Sequence, residues 1–460
     1  MFKAGLNDTI VAISTPIGEG GIGIVRISGT DSLSIAKKIF FPKDKQDPLE
    51  FKSHTLHYGK IIDAGNIIDE AILTLMRAPK SYTKEDVVEI NCHGGIVALS
   101  KTLKLALACG ARLAQAGEFT RRAFLNGRID LAQAEAVIDI IRAKTDFALK
   151  IGVEQLQGRL SSEIKQVRDQ LLDALTFLEA QIDFPEEDGV SEQKNKMQST
   201  LRIAREKIRN LLAGSKFARI YKEGIHLVIC GKPNVGKSSL LNAILRKERS
   251  IVTPLAGTTR DTIEELVEIK GIPVRIVDTA GILKAKDLVG KKAVVRAWQQ
   301  IKLADLIIVL FDGSVRLGQG DLSLIRKLKS RKVIAVINKI DLKQKINKQI
   351  IKNTFPCLVE LSAKKSRNIN LLEEAILNQV HQKAALPIES VMVSSLRHTQ
   401  ALDQAEKLIA EANNSLDNRL SAEFIAQGIK DALGYLDNIL GKDFPEDLLD
   451  KIFSQFCIGK

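Results

Sequence analysis

The octapeptide GKPNVGKS, Gly231–Ser238, restricts what this chain can fold into more than any other stretch. It fits the pattern G-x-x-x-x-G-K-[ST] and stands between the apolar run His226–Cys230 and the helix-forming SLLNAIL. The glycines let the backbone curl so that successive N–H groups face one anion, and the following helix adds its positive N-terminal end. Such a loop needs a buried strand that hands over to a helix. The rest of the region agrees. Strand-like runs at His226–Cys230, Val274–Val277, Leu306–Phe311, Val333–Ile337 and Cys357–Leu361 alternate with helix-like stretches from Gly224 to about Gln379. This pattern predicts a doubly wound, mostly parallel sheet.

On either side the chain changes character. Residues 1–118 mix β-branched runs (Thr9–Ile13, Ile22–Ile27, Val87–Ile90) with glycine turns and one helical pattern around Ile96–Ala108, which predicts an α+β domain. Residues 119–223 read as helical, with Leu171, Leu172, Leu175 and Leu178 at three-to-four-residue spacing. The acidic DFPEED, Asp183–Asp188, interrupts them and reads as a solvated loop around a helix-breaking proline. Residues 380–460 are helical again. Leu402, Ala405, Leu408, Ile409 and Ala412 form one stripe, and Leu433, Leu436, Ile439 and Leu440 another. The expected organisation is therefore multidomain, α/β and α, with the 224–379 domain inserted into a discontinuous helical one.

A chain of 460 residues is too long for one ordinary core. Its longest central apolar run, Leu306–Phe311, has the length of a strand and falls far short of the ~18–20 residues that span a bilayer, so no membrane insertion is expected. The start, MFKAGLNDTIVAIS, lacks the marks of a signal or transit peptide, which makes a cytoplasmic protein the expectation. A net charge of +13 suits a polyanionic partner such as RNA, although many basic proteins bind none, and aromatics at 5% give no RNA-binding signature. Five widely spaced cysteines form neither a disulfide framework nor a zinc site.

Four further motifs follow in order. In the phosphate loop, Asn234, Val235, Gly236, Lys237, Ser238 and Ser239 would surround the phosphates, with Lys237 on the outer ones and Ser238 on magnesium. Asp278 ends VRIVD and opens DTAG (Asp278, Thr279, Ala280, Gly281). An acid there binds magnesium through water, and the Gly281 N–H can donate to the terminal phosphate. In NKID, Asn338–Asp341, with Lys339 between, Asp341 can accept both N–H groups of a guanine edge. Adenine presents an acceptor there, so the motif selects GTP. SAK (Ser362, Ala363, Lys364) fits a guanine-supporting loop, and Thr259 of GTTRD, Gly257–Asp261, completes a magnesium shell. The set resembles the small GTPase class of P-loop proteins.

The flanks narrow the resemblance. DTIVAISTPIGEGGIGIVRISG, APKSYTKEDVVEINCHGG, GEFTRRAFLNGRIDLAQAEAVIDII and the closing FCIGK are not shared by other GTPases. From Asp8 to its last residue the chain resembles the MnmE (TrmE) family of tRNA modification GTPases. The resemblance implies an N-terminal folate-binding domain that makes a homodimer, a helical domain in two segments, and a Ras-like P-loop GTPase domain inserted into it. It implies a partner of the MnmG type that carries FAD, in a heterotetramer. Together they would add an aminomethyl or carboxymethylaminomethyl group to carbon 5 of the wobble uridine of certain tRNAs, with the one-carbon unit from a tetrahydrofolate derivative. Hydrolysis of GTP would need magnesium and potassium.

The resemblance also implies roles for single residues. Folate contacts fall on Arg26, Glu89, Arg128 and Lys460. Without the family, Arg26 or Glu89 alone reads as an ordinary surface charge. Potassium falls on Asn234 and on TPLAGT (Thr253, Pro254, Leu255, Ala256, Gly257, Thr258), with oxygens from Thr253, Thr258 and the Leu255 carbonyl. A cation beside the β–γ bridge stabilises the charge that develops as the bond breaks. Cys457 stands where a prenylation box would place it, but Lys460 ends no such box. A catalytic thiol and a small packed residue both stay open for Cys457, as do structural and catalytic readings of His93.

The sequence departs from the family in one place. After DTAG the family has an arginine and then D-x-[VI]-E, whose glutamate orients the attacking water. Here Leu283 replaces the arginine, and KDLVGKK sets Asp287 and Val289 on their counterparts and Gly290 on the glutamate. Asp287 could substitute, or Glu264 or Glu265, or the chain hydrolyses weakly and acts as a GTP-binding switch. A water-positioning group contributes roughly 10²–10⁴-fold in rate.

Overall fold

The computed structural model describes residues 8–183, 190–247, 264–278, 288–381, 391–418, 420–443 and 445–460. It divides into two compact units. The first comprises residues 1–138, 155–176 and 426–460, the second 139–154 and 177–425.

The first unit holds a seven-stranded sheet of β1 (Ile10–Ile13), β2 (Gly23–Ser28), β3 (Phe40–Pro42), β4 (Thr55–Asp63), β5 (Asn66–Met76), β6 (Val87–Cys92) and β7 (Arg112–Leu113). The order is β3-β4-β5-β6-β2-β1-β7, antiparallel except for β1 with β7. Successive side chains of a strand face opposite ways. Val25 and Ile27 of β2 and Val88 and Ile90 of β6 therefore enter the core, while Arg26 and Glu89 share the other face. Two helices, α1 (Ser32–Ile39) and α2 (Ile96–Ala108), close the core with Ile35, Ala36 and Leu99. Helix α2 lies so near β2 that a Cβ on Gly23 would come 2.6 Å from Leu99. The β-branched runs and the 96–108 helix are where the sequence predicts them. The β4–β5 hairpin is not, because apolar Leu56, Tyr58 and Ile67 sit exposed on it and blur the alternation.

Helices α3 (Glu118–Leu125), α4 (Leu131–Arg142), α5 (Asp146–Leu156), α6 (Arg159–Asp183) and α7 (Val190–Glu223) follow. Asp183 ends α6, and the rest of DFPEED lies outside the described residues. Arg122 of α3 is the largest fully buried side chain of the described residues, 2% exposed. Its guanidinium donates to Asp8 Oδ1 at 2.5 Å, to the Asp8 carbonyl at 2.8 Å, to Glu118 at 3.1 Å and to Glu85 at 3.2 Å. Burial works against the charged forms of Asp8 and Glu118. Bonds to Arg112 and Arg122 win, and both carboxyls are held below their ordinary range.

The second unit holds a six-stranded sheet of β8 (Ile225–Gly231), β9 (Glu264–Ile269), β10 (Ile272–Asp278), β11 (Leu306–Asp312), β12 (Val333–Asn338) and β13 (Leu358–Glu360). The order β13-β12-β11-β8-β10-β9 is parallel except for β9, an edge strand antiparallel to β10. Helices α8 (Lys237–Lys247), α9 (Leu288–Leu303), α10 (Gln319–Leu328), α11 (Lys348–Thr354) and α12 (Ile369–His381) cover both faces. Alternate β8 residues enter two cores. Leu227 and Ile229 pack with Leu240 and Ile376, and Val228 and Cys230 with Ile301, Leu328 and Ile351. Every residue of β12 is buried, as a central parallel strand requires. This is the doubly wound sheet expected. Strand β9 escaped the sequence reading because EELVEI is rich in acids.

Three more helices are α13 (Leu396–Asp417), α14 (Ala422–Leu440) and α15 (Glu446–Phe453). Both expected stripes are buried, with Leu402, Ala405, Ile409 and Ala412 on α13 and Leu433, Leu436, Ile439 and Leu440 on α14. Only Leu408 is partly exposed. Glu406 of α13 accepts from Arg205 and Arg209 of α7 at 2.7 and 2.8 Å.

Breaking a buried charge cluster by removing one partner costs about 3–5 kcal/mol. Arg122→Met is expected to destabilise the first unit by that order at pH 8, read from hydrogen exchange of β1 and β2. Carboxyls with depressed pKa contribute stability that is present above their unfolded values, near 4, and lost as pH falls through the folded ones. In the variant the stranded carboxylates can take up protons, so its deficit should shrink between pH 8 and pH 5. A deficit that does not change with pH would exclude the charge cluster as its source.

Candidate functional site: a nucleotide cleft and a tail-covered sheet face

In the second unit the loops at the carboxyl ends of β8, β12 and β13 meet, where open parallel sheets bind ligands. The phosphate loop leaves β8 at Gly231, whose φ of +152° and missing Cβ let it pass within reach of the Leu310 carbonyl. Asn234 and Gly236 take left-handed φ values of +62° and +99°. A Cβ on Gly236 would lie 2.3 Å from Asn338 Nδ2, so this glycine is fixed by a neighbour as well as by its torsion.

Asn338, 2% exposed, ends β12 and joins three loops. Its Nδ2 donates to the Val235 carbonyl at 2.8 Å, and its Oδ1 accepts from the N–H of Ala363 at 2.9 Å and of Lys339 at 2.8 Å. Lys339 Nζ donates to the Asn234 carbonyl at 2.9 Å and to Asp312 at 2.5 Å. Asp312 also accepts from Ser314 N–H at 2.9 Å. Burial opposes its ionisation, but the Lys339 and Ser314 bonds hold its carboxyl below the ordinary range. A hydrogen bond from Ser362 does the same for exposed Asp341, helped by the charges of Lys365 and Lys364. An ionised Asp341 is an acceptor only, which suits a pair of N–H donors.

Lys237 opens α8 and is 7% exposed. Its ammonium donates to the carbonyls of Lys232 at 2.9 Å and Gly231 at 3.2 Å. Neutral carbonyls are weak partners for a cation, and phosphate oxygens would bind it more strongly. A cleft of about 540 Å³ is lined by Asn234, Gly236, Lys237, Ser238, Ser239, Asn338, Lys339, Asp341, Ser362 and Lys364, and also by Leu342. The structure thus brings together the residues expected at Asn234–Ser239, Asn338–Asp341 and Ser362–Lys364. Val235 and Ala363 are buried beneath the cleft and serve it through their main chain. Sequence reasoning missed Asp312. The signal available was an acid that ends a buried parallel strand beside the phosphate loop.

Thr253, Pro254, Leu255, Ala256, Gly257, Thr258, Thr259, Thr279, Ala280, Gly281, Leu283 and Asp287 lie outside the described residues. Asp278 closes β10, and Gly290 lies in the first turn of α9. Glu264 and Glu265 begin β9, opposite Val277 and Ile276.

The first unit carries the second site. Arg26 on β2 and Glu89 on β6 are register partners, and Arg26 Nε donates to Glu89 Oε1 at 2.7 Å. Arg26 Nη1 reaches the Gly459 carbonyl at 3.2 Å, and its guanidinium lies 5.7 Å from the Phe119 ring centre. The tail is pinned here. Ala116 and Ile458 form a β-bridge, and Gly117 N–H donates to the Cys457 carbonyl at 3.3 Å. Gly459 has φ +94°, and a Cβ on it would come 2.4 Å from the Ile13 carbonyl. Burial, then the charge of Arg26, pushes the Lys460 ammonium below its ordinary pKa, and Glu89 opposes this. Arg128 lies 4.7 Å over the Tyr82 ring, whose hydroxyl pairs with Thr120 at 2.9 Å. Cys457 is exposed. His93 is tied through Nδ1 to Asp69 Oδ1 at 2.6 Å, with its side chain 73% exposed.

Residues 9–128 match the family description "GTP-binding protein TrmE N-terminus", and residues 131–457 match "MnmE helical domain". The tRNA modification GTPase MnmE of Desulforamulus reducens is 45% identical over 460 residues, 99% of this chain and 100% of its own. That of Clostridioides difficile is 45% identical over 457 residues, with 99% and 100% covered. Among solved structures, Aquifex aeolicus Era bound to GDP and AlF4− is 32% identical across 40% of this chain and 66% of its own, with a TM-score of 0.29. With two family descriptions spread along its length and relatives that match it almost end to end, the chain belongs to the MnmE family of GTPases that act in tRNA modification.

Proposed function

We propose that this chain is the GTP-binding and GTP-hydrolysing subunit of a cytoplasmic complex that modifies carbon 5 of the wobble uridine of certain tRNAs. It works as a homodimer with an FAD-containing partner of the MnmG type, in a heterotetramer. The added aminomethyl or carboxymethylaminomethyl group takes its one-carbon unit from a tetrahydrofolate derivative. The observation that carries this reading is the Arg26–Glu89 pair on the sheet face away from the core, where Arg26 also bonds the Gly459 carbonyl of the tail. A carboxylate beside a guanidinium suits the amino-pyrimidine edge of a pterin, and Lys460 and Arg128 suit the carboxylates of its tail. Glu89 is still 19% exposed and within a ligand's reach. Glu89→Gln is expected to weaken binding of 5-formyltetrahydrofolate at least about tenfold by calorimetry, the loss of one charged hydrogen bond. GTP binding should be unchanged. Native folate affinity in that variant would remove the reading.

In the second unit Lys237 would hold the outer phosphates, Ser238, Thr259 and Asp278 magnesium, and Asn234, Thr253, Leu255 and Thr258 potassium. Asp341 would read guanine. The cleft has the groups such a nucleotide needs, with a buried ammonium at Lys237 and an ionised acceptor at Asp341. The cations would supply positive charge where the β–γ bridge breaks.

One observation supports a second reading. Gly290, in the first turn of α9, has no side chain to orient a water, so the chain would be a GTP-binding switch with weak hydrolysis. Single-turnover hydrolysis in potassium against sodium separates the two. We expect slow, potassium-stimulated hydrolysis that Gly290→Glu accelerates by about 10²-fold. A native rate that the variant does not raise would mean that another group, Asp287 or Glu265 among them, already positions the water.

A further inference from the structure

The phosphate loop makes a charge pair with a residue outside the nucleotide motifs. Lys232 is the second residue of the phosphate loop, and its ammonium is bonded to the carboxylate of Asp321 in the first turn of α10. That carboxylate is 8% exposed, and the same oxygen accepts the Gly318 N–H at 2.8 Å. Two donors therefore fix it. The path of the lysine is cut by two glycines. A Cβ on Gly318 would come 2.9 Å from Lys232 Nζ, and one on Gly320 would come 2.7 Å from Lys232 Cε.

The other end of Lys232 touches the site. Its carbonyl accepts from the Lys237 ammonium at 2.9 Å, and the Gly231 carbonyl accepts at 3.2 Å. One contact of the phosphate-binding ammonium is therefore made by a residue whose own side chain is anchored on another element. A second lysine–aspartate pair ties the phosphate loop in the same way, where Lys339 donates to Asp312 and to the Asn234 carbonyl. A partly buried ion pair gains little net stability over an apolar pair of similar volume, so stability alone is a weak reason for it here.

We propose that Lys232 and Asp321 are a positioning pair for the nucleotide. By tying the second residue of the phosphate loop to α10, they set where Lys237 waits and so how firmly the phosphates of GTP and GDP are held. The chemical step starts from the nucleotide-bound state, so the effect falls on nucleotide affinity, read as KM and GDP release, more than on kcat.

The test uses the full chain, GTP hydrolysis kinetics and release of a fluorescent GDP analogue, beside thermal melts. Asp321→Asn and Lys232→Met are each expected to raise KM and speed GDP release about tenfold, with kcat within about threefold of native. The double variant should be no worse than either single one, because both remove the same link. Lys232→Arg, which keeps the charge, should return both quantities to near native. Native KM and release rates in the single variants, losses that multiply in the double one, or a lower melting temperature with unchanged KM would each overturn the proposal. Should Asp321→Asn fail to fold, Gly320→Ala displaces the lysine without touching the acid. It should raise KM and GDP release in the same sense, and no change would count against the pair.

Discussion

The nucleotide unit depends on one amide. Asn338 spends its donor on the phosphate loop and its acceptor on the Lys339 and Ala363 N–H groups, all from a position with almost no exposure to water. A buried amide with unmet partners would cost about 1–3 kcal/mol per group, so the three loops cannot drift apart cheaply. The same amide forbids a side chain at Gly236. Much of the local sequence follows from that: glycine before the phosphate-binding lysine, a left-handed Asn234, and a lysine after the asparagine that closes the arc onto Asp312.

The first unit is organised around charge. Its core face is ordinary, with β-branched side chains under two helices. Its other determinants are guanidinium groups with carboxylates arranged about them: Arg122 among Asp8, Glu85 and Glu118, and Arg26 between Glu89 and the tail. Arg122 is closed off and has a structural role. Arg26 is partly open, 16% exposed, and one of its contacts is a main-chain carbonyl. A ligand could compete for that contact at little cost. The two arginines carry the same chemistry, and their surroundings give them different uses.

How far the sequence could be read depended on whether a residue's role is local. The phosphate loop, NKID and SAK were legible because each is a short stretch whose backbone geometry and chemistry lie together. The parallel strands were legible because burial on both faces makes them uniformly apolar, as β12 is. The β4–β5 hairpin was not, since its exposed apolar residues mimic neither period. Asp312 and Asp321 were not legible either. Each is a lone acid in sequence, and its meaning comes from a lysine on another loop. Arg26 and Glu89 could be singled out only through the family, because 63 residues separate two side chains that turn out to be register partners.

The bridge between Ala116 and Ile458 has a consequence for how the chain is made. Arg26 and Gly459 are 433 positions apart, and at ~5–20 residues per second a ribosome needs roughly 20–90 s to supply the second after the first. Every strand of the nucleotide unit emerges in that interval, so that unit can fold around its own phosphate loop while the earlier one is still open. Until α15 arrives, Ala123, Phe124 and Ile138 lack Leu449, Phe453 and Phe456, which cover them in the finished structure. These residues of the nascent chain therefore stay without that apolar cover while the following three hundred or so residues are made.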